Sequence, residues 1–224
     1  MVNQSLLIMS ISMLSCVKQP LSNPEKKIVM LGDSQVNLID GSFSGGDFSS
    51  TWNELLGSNN TVKLGFNGYT AQDIATFGSP TPLEQTVSES PDIVYLMIGD
   101  NDALTGVSLA TTMNYIDVIC TELSSQGIPF VVMSLFPLTY ALQQTINGGS
   151  GLINPRMYDI TDSTIAYCDQ QGYEFLDLRT SLCYISEMDG LLYLKDEYSQ
   201  DGLHLNWSGY NKLAVPLSFN INTH

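Results

Sequence analysis

Basic residues are scarce in this sequence, and their scarcity narrows the classes of partner that the protein can bind. Eight Lys and Arg residues stand against 23 Asp and Glu residues over 224 positions, which gives a formal net charge of −15. Such a chain repels the phosphate backbone of nucleic acids and offers no basic patch to anionic lipid. Charged residues make up only 14% of the chain and hydrophobic residues 43%. We therefore expect a folded protein with one sizeable core and no nucleic-acid partner.

The amino terminus lacks an apolar run long enough to span a bilayer. The run from Leu6 to Leu14 instead suits the hydrophobic region of a secretory signal. Met13-Leu14-Ser15-Cys16 resembles the lipobox of a bacterial lipoprotein, in which Cys16 becomes the lipidated first residue, although no Lys or Arg precedes the run. We expect residues 1–20 to be a leader with a short linker, and the protein to be secreted or lipid-anchored at the cell envelope. If the leader is not a signal, the protein is cytoplasmic, and membrane contact is expected only through Cys16.

Cysteine and histidine are too few and too widely spaced for a familiar metal site. Cys120, Cys168 and Cys183 show no metal-ligand spacing, so we expect buried free thiols and predict no metal and no cofactor. One of only two histidines, His204, follows Asp201 by three residues in the turn-rich stretch DGLHLNWSGY. It is either a surface histidine that caps a turn or a base that the carboxylate orients.

Apolar runs alternate with helix-period segments from Lys27 onward, which is typical of βαβ units. Three of the runs are continuously apolar, as buried parallel strands are. The five predicted strands are Lys27 to Leu31, Thr61 to Phe66, Asp92 to Ile98, Phe130 to Phe136 and Tyr173 to Leu178. We predict that residues 21–224 form a single α/β domain, a three-layer α/β/α sandwich.

Capping residues predict where several helices begin. Thr81-Pro82-Leu83-Glu84 combines an N-cap, a proline at N1 and a capping-box glutamate. Ser108 can cap a helix that ends at Gly127, and Asn154-Pro155 opens another that ends at Gly172. The expected sheet-facing stripe of the Ser108 helix is Leu109, Met113, Ile116, Cys120 and Leu123. Pro216 predicts a bend or interruption in the last helix.

Hydrogen-bonding groups follow the first three predicted strands, where an open parallel sheet binds its ligands. Ser34 is a possible nucleophile, Gly68 allows close approach of its backbone N–H, and Asn101 brings an amide donor. Each residue alone has a structural explanation, as a helix N-cap, a left-handed turn residue and an Asx-turn former. With Asp201 and His204 as an oriented base, the group has the parts of an acyl-transfer site with an oxyanion hole.

Four sequence blocks resemble the SGNH or GDSL hydrolases, in the order found in that family. They are GDS at Gly32 to Ser34, the glycine of NGYT at Gly68, GDND at Gly99 to Asp102, and DGLH at Asp201 to His204. The resemblance implies a carboxylic ester hydrolase on a flavodoxin-like sheet of five parallel strands in the order 2-1-3-4-5.

The resemblance also implies a role for each site residue. Ser34 is the nucleophile, and its backbone N–H forms the oxyanion hole with Gly68 and Asn101. Asp201 and His204 complete a triad, in which the carboxylate accepts from Nδ1–H and leaves Nε2 free to take the serine proton.

Two positions depart from the family pattern without removing a reacting group. Gln35 stands where many members have leucine after the serine, and Leu205 follows the histidine where proline is frequent. The G-x-S-x-G elbow of α/β-hydrolases is absent from the sequence.

Two other functional classes fit parts of the pattern. Asp33, Asp100 and Asp102 could hold Mg²⁺ in a phosphohydrolase, although no P-loop is present. A catalytically silent glycan-binding module could also keep this fold, against which the intact set of site residues argues.

The expected substrate is a short acyl group, acetyl, on a carbohydrate, with a lysophospholipase- or lipase-like activity on longer chains as the alternative. Loops from Gly41 to Thr51 and from Thr145 to Asn154 are rich in small and polar residues, which suit a hydroxyl-rich small-molecule or glycan ester. Trp52, Tyr69 and Tyr140 either stack on sugar rings or fill the core.

Overall fold

Five parallel strands form the centre of the fold. The structure, a computed structural model, describes residues 26–37, 49–57, 60–146 and 153–223. The strands are β1 (Ile28–Gly32), β2 (Thr61–Gly65), β3 (Ile93–Met97), β4 (Phe130–Met133) and β5 (Glu174–Leu176). They pair in the order β2-β1-β3-β4-β5, and every pair is parallel. The predicted strand order is confirmed.

The predicted leader and Cys16, residues 1–20, lie outside the described residues.

Helices cover both faces of this sheet. One face carries α3 (Ala71–Thr76), α4 (Pro82–Ser88), α5 (Asp100–Thr105), α6 (Leu109–Ser125) and α8 (Ile153–Gln171). The other carries α1 (Ser34–Asn37), α2 (Ser49–Leu56), α9 (Arg179–Leu182) and α10 (Trp207–Thr223). The short α7 (Tyr140–Ile146) follows the β4 connection, and a 3-10 turn occupies Asp196–Tyr198. The three-layer α/β/α prediction is therefore confirmed.

The two cores explain why the strands read as unbroken apolar runs. Along β1, Ile28 and Met30 point into one core, while Val29 and Leu31 point into the other. All four side chains are at most 1% exposed. A strand buried on both faces needs apolar residues at every position, not at alternate ones.

The predicted helix starts are also found. Thr81 accepts from the Glu84 N–H at 3.1 Å, and the Glu84 carboxylate accepts from the Thr81 N–H at 2.7 Å, which is a complete capping box. Ser108 caps α6 by accepting from the Thr111 N–H. The predicted α6 stripe packs on the core except Leu109, which is 40% exposed.

Several features differ from the sequence predictions. Helix α10 continues through Pro216, since the buried Leu213 and Leu217 anchor the turns on either side of it. The β4 strand ends at Met133, and the apolar residues that follow it are buried in an irregular segment. A short antiparallel hairpin, β6 (Cys183–Ile185) with β7 (Leu192–Leu194), was not predicted.

The cysteine prediction is confirmed within the described chain. Cys120, Cys168 and Cys183 are buried free thiols. Burial raises the pKa of all three thiols, to about 11 for Cys168 and about 12 for Cys183. Among the helices of the described residues, none has the length and apolar character needed to cross a membrane.

Candidate active site

The first three strands end side by side at one edge of the sheet. Gly32, the last residue of β1, pairs with Gly65 of β2 and with Met97 of β3. A Cβ atom on Gly32 would lie 2.1 Å from the Met97 carbonyl oxygen, so this close approach of the two backbones requires glycine. Ser34 follows two residues later as the first residue of α1, with 8% of its surface exposed.

Ser34, His204 and Asp201 form one chain of hydrogen-bonding atoms. The Oγ atom of Ser34 lies 2.9 Å from His204 Nε2, and His204 Nδ1 lies 2.7 Å from Asp201 Oδ2. With a proton on Nδ1, the imidazole donates to the carboxylate and leaves Nε2 as the acceptor for the serine hydroxyl. This arrangement can transfer a proton away from Ser34.

The Asp201 carboxylate also shapes the loop that carries His204. Its Oδ1 atom accepts from the Leu203 N–H at 3.0 Å and from the His204 N–H at 2.7 Å. Partial burial works against the charged form, but the hydrogen bonds from His204 and Leu203 outweigh it and hold the pKa of the Asp201 carboxyl below its usual value. The loop position of both residues was predicted from the turn-rich sequence.

The two predicted oxyanion donors follow β2 and β3, Gly68 in a turn and Asn101 as the second residue of α5. Gly68 has a φ of +79°, a left-handed conformation that favours glycine, and no described residue accepts a hydrogen bond from its N–H. The Asn101 amide donates to the Tyr69 carbonyl oxygen at 3.0 Å, which ties the start of α5 to the Gly68 turn and leaves the second N–H of the amide. On the other side of the Gly68 turn, the Asn37 amide donates to the Asn67 side chain at 2.9 Å.

Three carboxyl groups are buried beneath this edge. Asp33 and Asp100 are at most 2% exposed, and three of their four carboxyl oxygens have no hydrogen-bond partner among the described residues. Burial raises the pKa of both carboxyls, and their mutual repulsion raises the pKa of Asp33 further. For Asp100, whose charged form the Gln35 amide and His204 favour, the pKa is about 6.

Asp102 makes hydrogen bonds that Asp33 and Asp100 do not share, and these bonds argue against a Mg²⁺ site formed by the three residues. Its two oxygens accept from the Ala71 N–H at 2.9 Å and from the Thr112 hydroxyl at 3.0 Å, so the side chain joins α5 to α3 and α6. Within the described ranges, no three Asp, Glu, His or Cys side chains are grouped as metal ligands. The geometry gives no support to a cation held jointly by Asp33, Asp100 and Asp102.

Two residues at the site were not singled out from sequence as functional. The Gln35 side chain is 1% exposed and donates to the Leu203 carbonyl oxygen at 2.9 Å. The Tyr210 hydroxyl donates to the Gln35 carbonyl oxygen at 2.6 Å. The departure from leucine at position 35 is the sequence signal that points to Gln35. Nothing in the sequence signals the contact of Tyr210.

One known protein family matches most of the chain. The profile of the GDSL-like lipase/acylhydrolase family matches residues 30–212. No curated protein matches the chain by sequence.

Solved structures of the same fold include three bacterial proteins. A GDSL-like lipase from Bacteroides thetaiotaomicron has 16% identity and a TM-score of 0.70, over 88% of each chain. The lipase/acylhydrolase from Enterococcus faecalis has 20% identity and a TM-score of 0.66, over 88% of this chain and 96% of the other. A lipolytic protein of the G-D-S-L family from Veillonella parvula has 17% identity and a TM-score of 0.61, over 88% of this chain and 98% of the other.

The buried Asp100 carboxyl leads to a prediction about stability and pH. A carboxyl whose pKa rises from 3.8 to about 6 on folding binds more protons in the folded state. Stability is therefore greatest in acid and falls as the pH rises between these values. We expect Asp100→Asn to raise the melting temperature relative to the wild type more at pH 8 than at pH 5, because an amide does not ionise.

The matched control is Asp169→Asn, at an exposed position of α8. We expect its effect on the melting temperature to be small and equal at the two pH values. A pH-independent effect of Asp100→Asn would contradict the assignment of a raised pKa to Asp100.

Proposed function

The chain belongs to the GDSL-like lipase/acylhydrolase family, and from this premise we propose that it hydrolyses esters through an acyl-enzyme on Ser34, with acetylated carbohydrate as the substrate. Family membership makes it a carboxylic ester hydrolase. The observation that carries the proposed mechanism is the hydrogen-bond chain from Ser34 Oγ through His204 to Asp201, at 2.9 and 2.7 Å.

In the proposed reaction, His204 Nε2 takes the Ser34 proton as Oγ attacks the ester carbonyl carbon. The tetrahedral intermediate places negative charge on the carbonyl oxygen, which the N–H groups of Ser34, Gly68 and Asn101 stabilise. The imidazolium then gives its proton to the leaving alcohol as the carbon–oxygen bond breaks. Water repeats the sequence on the acyl-enzyme, releases the acid and restores Ser34. Asp201 stays charged and stabilises the imidazolium in both halves.

A polar cavity beside Asp201 supports a hydroxyl-rich alcohol in the substrate. The cavity has a volume of about 390 Å³, and Thr139, Thr145, Ser199, Gln200 and Asp201 are among the residues that line it. Hydroxyl, amide and carboxylate groups match the donors and acceptors of a sugar. We propose that the carbohydrate part of the ester lies there and the short acyl group lies against Ser34.

The aromatic residues considered for sugar stacking are placed differently from one another. Trp52 is 1% exposed and donates to the Val36 carbonyl oxygen, so it fills the core and cannot stack on a ligand. Tyr69 stacks on Phe66 and is partly exposed. Tyr140 is also partly exposed and lies at the start of α7, next to the residues that line the polar cavity. Most of the Gly41 to Thr51 loop and much of the Thr145 to Asn154 loop lie outside the described residues.

The nucleophile assignment predicts the site of covalent labelling. A fluorophosphonate should label the wild type at Ser34 and should not label Ser34→Ala, with an unchanged circular dichroism spectrum. The control is Ser134→Ala, which changes a buried serine that follows β4 at the same edge of the sheet and should still be labelled. Peptide mass spectrometry identifies the labelled residue, and a label on another serine would overturn the assignment.

The oxyanion role of Asn101 predicts an effect on turnover. Removal of one donor costs about 10²- to 10³-fold in kcat, because the bond acts mainly in the transition state. We expect a loss of that order for Asn101→Ala with little change in KM, measured on an aryl acetate. Asn211→Ala, at an exposed position of α10, serves as the control. An effect confined to KM would make Asn101 a substrate-binding residue.

The proposed substrate predicts an order of activities. Among p-nitrophenyl esters of increasing chain length, kcat/KM should be highest for acetate, since the proposed site places a small acyl group at Ser34. Acetylated oligosaccharides should then be better substrates than lysophospholipid. A maximum at long acyl chains, or activity seen only on lipid micelles, would refute the carbohydrate proposal and leave the Ser34 assignment in place.

A further inference from the structure

The side chain after the nucleophile forms an unusual connection across the site. Gln35 is 1% exposed, and its amide donates at 2.9 Å to the carbonyl oxygen of Leu203, the residue before His204. The two residues are 168 positions apart in sequence. We propose that Gln35 is a positioning residue, which fixes the His204 loop relative to Ser34 through its bond to the Leu203 carbonyl. This inference rests on the proposed function.

Packing of Leu205 and Tyr210 holds the segment that follows the loop on the core, but the other hydrogen bonds of residues 201–204 do not reach α1. The hydrogen bonds from Leu203 and His204 to Asp201 fix only the internal shape of the loop. The Thr139 N–H donates to the Gly202 carbonyl at 2.8 Å, which ties the loop to the segment after β4, away from β1. Among the described residues, the Gln35 side chain and the Ser34 hydroxyl make the hydrogen bonds that join α1 directly to residues 201–204.

Gln35 is itself held from both ends, so its side chain starts from a fixed point. Its backbone N–H donates to Asp33 Oδ1 at 3.0 Å, and its carbonyl oxygen accepts from the Tyr210 hydroxyl at 2.6 Å. Because its backbone is fixed next to β1, the Gln35 side chain can hold the Leu203 carbonyl, and with it His204, at a set distance from Ser34. In a reaction that needs the acceptor nitrogen at hydrogen-bond distance from Oγ, a displacement of about 1 Å can cost about 10²-fold in rate.

An amide suits this position better than an apolar or a charged group. Leucine, frequent here in the family, has no donor for the Leu203 carbonyl. A carboxyl would add a third buried ionisable acid beside Asp33 and Asp100, and its charged form would repel the Leu203 carbonyl oxygen. The Gln35 amide supplies an N–H donor without charge.

The first test is Gln35→Met, which keeps the length of the side chain and removes the donor. We expect kcat on an aryl acetate to fall by about 10- to 10²-fold with little change in KM. Fluorophosphonate should still label Ser34 completely but more slowly. The control is Gln143→Met, since Gln143 is 2% exposed and accepts at 3.0 Å from the Asn154 N–H. It should lose stability and keep its kcat.

The second test is Gln35→Glu, which separates positioning from general destabilisation through pH. The introduced carboxyl can donate to the Leu203 carbonyl only while it is protonated, and the titratable groups that face it are Asp33, Asp100 and His204. We expect the ratio of its kcat to that of the wild type to fall as the pH rises from 5 to 8. A merely structural role would lower the melting temperature as the pH rises but would leave the kcat ratio, measured well below that temperature, independent of pH. If Gln35→Met does not fold, the pH dependence of Gln35→Glu alone tests the positioning role of Gln35.

Three outcomes would overturn the inference. They are a wild-type kcat and labelling rate in Gln35→Met, an equal loss of kcat in Gln143→Met, and a pH-independent ratio for Gln35→Glu. Failure of the proposed function looks different, because the wild type itself would then not be labelled at Ser34.

Discussion

The hydrogen bond between Ser34 and His204 joins residues 170 positions apart, and the packing of the sheet is what allows it to form. In the parallel register Gly32 lies opposite both Gly65 and Met97, so the turns after β1, β2 and β3 share one edge. The His204 loop, residues 201–204, lies near the carboxyl end of the chain. It is held by Leu205 and Tyr210, which are fully buried in the same core as Met30. Apolar packing thus contributes to the 2.9 Å distance between Ser34 Oγ and His204 Nε2.

Carboxyl groups at this edge differ in pKa because their surroundings differ. The Asp201 side chain is 43% exposed and accepts three hydrogen bonds from its own loop, which stabilise the carboxylate. Asp33 and Asp100 are almost fully buried with few donors, which favours their neutral forms. Asp201 therefore keeps its negative charge at a lower pH than Asp33 or Asp100, and it lies on the Nδ1 side of His204, where it can hold the ring.

The sequence was most informative where one local pattern determines the structure. Buried strands such as β1 need unbroken apolar runs, and the capping box at Thr81 defines a helix start within four residues. The residues Ser34, Gly68, Asn101, Asp201 and His204 could be selected because each follows a strand or lies in a polar turn. Contacts between distant segments could not be predicted. The Gln35 bond to Leu203 and the burial of Trp52 depend on how α2 and the His204 loop pack on the sheet, which no local pattern specifies.

The low identity to structures of the same fold follows from what each part of the molecule requires. A core strand such as β1 needs residues of suitable volume and hydrophobicity, and many combinations meet that need. The edge of the sheet that carries the candidate active site needs particular chemical groups, but only at a few positions. The polar cavity beside Asp201 is lined by Thr139, by three residues of α7 and by residues between Asp196 and Gly202, none of which belongs to the parallel sheet. If the alcohol lies there as proposed, changes in that lining alter which alcohol is accepted while the register that brings Ser34 to His204 stays the same.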